Sequence, residues 1–118
     1  MANFLILLAV HWFADFCLQT DWQAQNKSKS NVALLRHVLV YSACLTVAAG
    51  LMFPAPEWLL FVWLNGALHF GTDYVTSRAS ARLYAKGDRH NFFAMVGFDQ
   101  LIHQVTLALT MKVFFGWT

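Results

Sequence analysis

Charged side chains are scarce in this chain. Only 12% of its residues are Asp, Glu, Lys or Arg, about half the share of an ordinary soluble domain. With eight basic residues and a net charge of +2, it has no basic, aromatic-laced stripe, and nucleic acid is excluded as a partner. Cysteine is limited to Cys17 and Cys44. Both lie in apolar stretches without metal-ligand spacing, so they read as small packing residues. Proline is limited to Pro54 and Pro56, in one turn. No Gly-x-Ser-x-Gly elbow and no phosphate-cradling glycine loop occur, which removes those enzyme classes. The start, Met1-Ala2-Asn3, carries no basic residue and no small-residue cleavage site follows. Residues 1–20 are therefore expected to remain as a helix rather than act as a signal.

Apolar residues dominate instead, at 58%. A soluble protein this small cannot hide so many Phe, Trp and Leu side chains. Four stretches reach the ~17–25 residues that a membrane-spanning helix needs. They lie at about residues 3–20, 32–53, 58–77 and 91–115. Period-two alternation is absent, and open sheet edges cannot face lipid. The expected fold is an all-α polytopic membrane protein, a four-transmembrane-helix bundle forming one domain over residues 1–118. Phe53-Pro54-Ala55-Pro56-Glu57 reads as a tight turn. Residues 21–31 and 78–90 read as polar loops, and Asn91 as a cap for the fourth helix.

Lys27, Lys29 and Arg36 cluster at the first loop, and Arg78, Arg82, Lys86 and Arg89 at the third. Positive charge marks the cytoplasmic side. Both termini are then expected outside the inner membrane, with Trp58, Trp117 and Phe53 at the outer interface. Lys112 snorkels.

Ionisable residues at membrane depth are rare and functional by default. Here the first helix carries His11 and Asp15, the second His37, the third His69 and Asp73, the fourth Asp99 and His103. His-x3-Asp occurs twice and Asp-x3-His once, so each pair shares a helix face. Counting ~1.5 Å per residue, all seven fall roughly 6–18 Å from the cytoplasmic helix ends, in one layer. The loop charges that set the orientation are independent of this result. Imidazole and carboxylate at one depth suit a divalent metal, zinc foremost, with manganese, iron, cobalt and nickel as alternatives. Seven candidates exceed one site. They serve two metals, or one metal with a general base and groups that orient the ligands. Asp15, Asp73 and Asp99 are the candidate catalytic carboxylates. Gln19, Asn65, Gln100 and Gln104 read first as supporting or packing groups, and Tyr41 lies one turn from His37. His90, Asp88 and Glu57 read as ordinary loop or interfacial residues.

The segments HWFADFCLQTDWQAQNK, LLRHVLVYS, HFGTDYVTSR and HNFFAMVGFDQLIHQ resemble the small bacterial and phage membrane proteins of the domain of unknown function 3307 family. The resemblance covers nearly the whole chain and implies a membrane protein without implying an activity. A looser likeness to membrane-bound metal-dependent hydrolases, which also set His and Asp on helices, implies a reaction class. The leading expectation is an intramembrane metal-dependent hydrolase, with Arg36, Arg78, Lys27 and Arg82 drawing an anionic substrate to the cytoplasmic mouth. Two alternatives remain open. One is a divalent-cation or proton transporter, which with so few helices requires a homo-oligomer. The other is a small membrane interaction or inhibitor protein, whose buried polar groups act as interhelical glue.

Overall fold

In the computed structural model, which describes residues 1–117, the chain is all helical, with no strand among the described residues. Helix α1 spans Ala2–Trp12 and continues into a π-helical turn, Phe13–Cys17. A short α2 follows at Asp21–Asn26, then α3 at Asn31–Met52, α4 at Glu57–Ala85 and α5 at Arg89–Phe115. Helix α3 packs on α1, α2 and α4, while α5 packs mainly on α4 and also touches α1.

The chain runs up and down. Phe4 meets Trp117 edge-on, and Phe53 stacks on Phe115 at 3.8 Å. Both chain ends and the α3–α4 turn therefore share one end. At the opposite end, Arg78 on α4 donates to Asn31 Oδ1 at the start of α3 (3.1 Å). Arg36 lies over Trp22, Arg78 over Tyr74 and Arg89 over Tyr84. The basic end is thus banded with cation–π pairs.

Several expected boundaries need correction. The third helix does not stop near residue 77 but runs to Ala85, so Arg78 and Arg82 lie on its last turns. Nothing between 78 and 85 breaks a helix; Gly87, at φ +74°, is the first residue that does. The cap of α5 is Asp88, not Asn91. Asp88 accepts the Asn91 backbone N–H at 3.1 Å and its side-chain amide at 2.8 Å. These bonds, the side-chain one first, hold the partly exposed Asp88 carboxyl below its ordinary pKa. The first helix ends at Cys17, and α2 occupies part of the expected first loop. A capping box starts α2: Gln23 N–H donates to Thr20 Oγ1, and Thr20 N–H to Gln23 Oε1, both at 3.1 Å.

Helices α3 and α5 are long and apolar enough to cross a membrane. The run Ala2–Cys17 is apolar but shorter. Helix α4 has 29 residues, but Asn65, His69, Asp73, Arg78 and Arg82 interrupt its apolar character.

The half of the bundle near the termini is filled by Leu7, Leu45, Phe61, Leu107 and Met111, all essentially inaccessible. Close approach of α3 to α4 depends on Gly66, where an added Cβ would lie 2.8 Å from Ser42 Oγ. That hydroxyl can rotate, so Gly66→Ala is expected to be mild. Gly66→Leu cannot be absorbed in this way and should destabilise the fold by about 1–3 kcal/mol, read as an earlier thermal unfolding midpoint in detergent.

Candidate metal centre

The seven His and Asp residues converge in one buried cluster. The π turn matters to this result. It is closed by Leu18 N–H to Phe13 O (3.0 Å) and carries Asp15 at its middle. A π turn widens the helix locally and is often found at functional sites. Across this junction His11 and Asp15 still share a face, with His11 Nε2 3.6 Å from Asp15 Oδ2.

Four atoms from three helical segments, the π turn, α3 and α4, form the heart of the cluster: Asp15 Oδ1, His37 Nε2, His69 Nε2 and Asp73 Oδ2. The His37 and His69 nitrogens face each other at 3.2 Å. Asp15 Oδ1 lies 2.8 Å from His37 Nε2 and 3.3 Å from His69 Nε2. Asp73 Oδ2 lies 3.3 Å and 3.6 Å from the same two nitrogens. A tetrahedral metal with bonds of ~2.0–2.1 Å has edges of ~3.3–3.4 Å between its ligand atoms. Four of these five edges are therefore near tetrahedral length, and the Asp15–His37 edge, at 2.8 Å, is shorter. Asp15 Oδ1 is also buried without a hydrogen bond of acceptable geometry, even with an imidazole nitrogen 2.8 Å away.

The outer carboxylate oxygens are held by other groups. Gln100 Nε2 donates to Asp15 Oδ2 (3.0 Å) and to Asp99 Oδ2 (3.1 Å). His103 Nε2 lies 2.9 Å from Asp73 Oδ1 and 3.4 Å from Asp99 Oδ1. Thr76 Oγ1 donates to Asp99 Oδ1 as well. Each inner carboxylate thus offers one oxygen to the central space while its second oxygen is fixed by the shell around it. Asp99–His103–Asp73 forms a relay that runs out to the less buried Asp99. The ring of His69 is sandwiched between Tyr41 and His103, each at 4.1 Å, which fixes its orientation.

Lys27, the C-cap residue of α2, reaches Asp73 Oδ2 at 3.2 Å. The sequence reading gave it to the topology signal and the cytoplasmic rim. The Thr20-x-x-Gln23 capping box was the available signal, because it defines the short helix that folds Lys27 back over the cluster. Other supporting residues divide. Gln100 and Tyr41 belong to the cluster. Asn65 instead bonds Thr110 (2.9 Å) and Phe61 O in the apolar half. Gln104 is exposed, and His90 sits exposed in the first turn of α5.

Lys27 is the one ammonium in contact with the buried Asp15 and Asp73 and the less buried Asp99, so with neutral imidazoles the cluster carries net negative charge. An uncompensated buried charge is severely unfavourable, and either protonated imidazoles or a divalent cation would balance it.

Fold and cluster together define an all-helical bundle with a buried His/Asp centre. The chain belongs to the DUF3307 family, described as proteins of unknown function, whose profile matches residues 3–118. No curated protein and no solved structure matches it.

Proposed function

We propose that this protein is a polytopic inner-membrane protein that binds a divalent metal in its bundle and uses it for hydrolysis at the cytoplasmic mouth. The observation that carries the metal reading is the near-tetrahedral convergence of Asp15, His37, His69 and Asp73. Zinc suits two imidazole and two carboxylate donors at this spacing, and manganese, iron, cobalt and nickel take the same donors.

Membrane insertion is supported by the surface. Leu51, Trp63 and Val113 are at least 80% exposed, and large apolar side chains are exposed on every long helix. Water-soluble monomers rarely present so much contiguous apolar area. The Arg–aromatic band at the α2/α3 end supports a cytoplasmic position for that end and an outer position for both termini.

A hydrolytic role is supported by asymmetry within the four donors. Asp15, His37 and His69 form the tight face, with edges of 2.8, 3.2 and 3.3 Å. Asp73 is the loosest corner and the one that carries an ammonium. Asp73 would therefore be the donor most readily displaced by a water on the metal, and its carboxylate would accept that water's proton, with His103 and Asp99 placed to pass it outward. A bound metal supplies an acidified water and a Lewis acid for the scissile bond. The packed apolar half beyond Tyr41 favours hydrolysis over passage of ions through the bundle.

The test is an Asp99→Asn variant of the metal-loaded protein, assayed on a phosphoester, lipid-ester and peptide panel. Turnover should fall by about 10²–10⁴ with metal content unchanged. Wild-type turnover in this variant, or no turnover by wild type on any substrate while metal stays bound, contradicts the hydrolase and leaves a structural metal.

A further inference from the structure

A cavity of about 680 Å³ opens beside the centre, between the π turn and α2 on one side and the α4–α5 end on the other. That is the size of a typical small-ligand site. Asp15, Asp99 and Gln100 form its inner wall, so its contents would touch the metal cluster. Helix α2 packs on α3 alone and makes no packing contact with α4 or α5. The cavity is the gap this leaves.

Its walls have two characters. Lys27 and Lys29 line the α2 side. Lys27 has Asp73 as its one bonded partner, which leaves two of its three donors for the cavity. Lys29 is exposed, and its side chain forms no bond. Gln19 Oε1 and Ser77 Oγ also border the space, each buried without a hydrogen bond. Buried polar atoms in that condition are costly unless a partner arrives. The apolar part of the lining is Phe16 of the π turn with Val96, Phe92 and Tyr84 of the α4–α5 end. Phe16 and Tyr84 are half exposed among the apolar side chains of the bundle surface.

We propose that this cavity binds a phosphoester-bearing amphiphile, its phosphate on Lys27 and Lys29 and its chain along the Phe16–Val96 wall. As the substrate of the centre, it rests on the hydrolase reading; as a binding site, it stands on the cavity alone. Two lysines lining one cavity supply the positive charge that a phosphate monoester dianion requires. Gln19 and Ser77 offer an acceptor and a hydroxyl to the polar linker between phosphate and chain. The lateral gap admits a chain from the bilayer. Asp15 and Asp99 would repel the phosphate unless a cation balances them, so the bound metal strengthens binding.

The experiment uses the full chain in neutral detergent, with and without zinc. Three probes are compared by equilibrium binding: lysophosphatidate, the uncharged monoacylglycerol of equal chain length, and glycerol 3-phosphate. Bound zinc is measured on the same samples. Lysophosphatidate should bind at least about tenfold more tightly than either other probe, a difference of ~1.4 kcal/mol. Lys27→Met should remove most of that preference. Lys29→Met guards against a folding defect, because Lys29 is exposed and unbonded, and it too should weaken lysophosphatidate alone. Equal binding of monoacylglycerol overturns the phosphate assignment. Equal binding of glycerol 3-phosphate overturns the amphiphile in favour of a soluble phosphoester. Bound zinc without lysophosphatidate selectivity sinks the cavity proposal and leaves the metal reading intact. Selective binding without zinc does the reverse.

Discussion

Asp15→Ala should lower zinc affinity by about 10³-fold or more, and His37→Ala should do the same, both read by competition with a chelator of known affinity. Each residue contributes an inner corner of the tetrahedral group, at 2.8 Å from the other. Each also sits on a different helical segment, so no neighbour can slide in to replace it. Removal of an outer-shell partner typically weakens binding by only about 10–100-fold. His11→Ala and Gln100→Ala, which touch Asp15 only through its outer oxygen, are therefore expected in that lower range. Gln104→Ala, on the exposed face, should leave affinity unchanged. A flat profile across these variants would mean that the convergence has no metal-binding role. A profile in which His11 outranks His37 would move the metal to the neighbouring group of His11, His69 and His103.

The second large effect is a reversal in stability. Zinc at about a thousand times its dissociation constant should stabilise wild type by ~4 kcal/mol. Where the imidazoles stay neutral, stripping it leaves the cluster with net negative charge. Asp73→Asn removes one of its negative charges, and Lys27, which is 18% exposed, can turn its ammonium to water. Without metal, the Asp73→Asn protein should thus unfold later than wild type. With zinc, the order should invert, because the variant has lost a corner of the site. Parallel thermal unfolding with chelator and with zinc reads both halves. The same order under both conditions would mean that Asp73 is held by Lys27 and His103 as structural glue, as the interaction-protein alternative requires.

Much of this site was legible in the sequence because burial and helical spacing constrain it twice. A four-residue interval fixes a common face, and lipid-depth counting fixes a common layer, so the convergence of His11, His37, His69 and His103 with the three Asp residues could be anticipated. What could not be read was which oxygen of each carboxylate turns inward. That depends on Gln100 and His103, whose partners lie 85 and 30 residues away in sequence. The π turn at Phe13–Cys17 was equally hidden, because Phe-Ala-Asp-Phe-Cys contains nothing that disfavours an ordinary α-helix. The long α4 was misjudged for a simple reason. Arg78 and Arg82 look like loop residues by charge, yet Arg78 bonds the Tyr74 carbonyl and lies over its ring, and the helix continues through Arg82 to Ala85. Lys27 was missed because a capping box was read as part of a polar loop.

The central claim is the divalent metal, and its most direct test is the metal content of protein purified in detergent without a metal-affinity column. Inductively coupled plasma mass spectrometry should find a stoichiometric divalent ion, zinc foremost, in wild type, and should find it lost from Asp15→Ala. Wild type that holds no metal, even after incubation with zinc, manganese, iron, cobalt and nickel, would contradict the account.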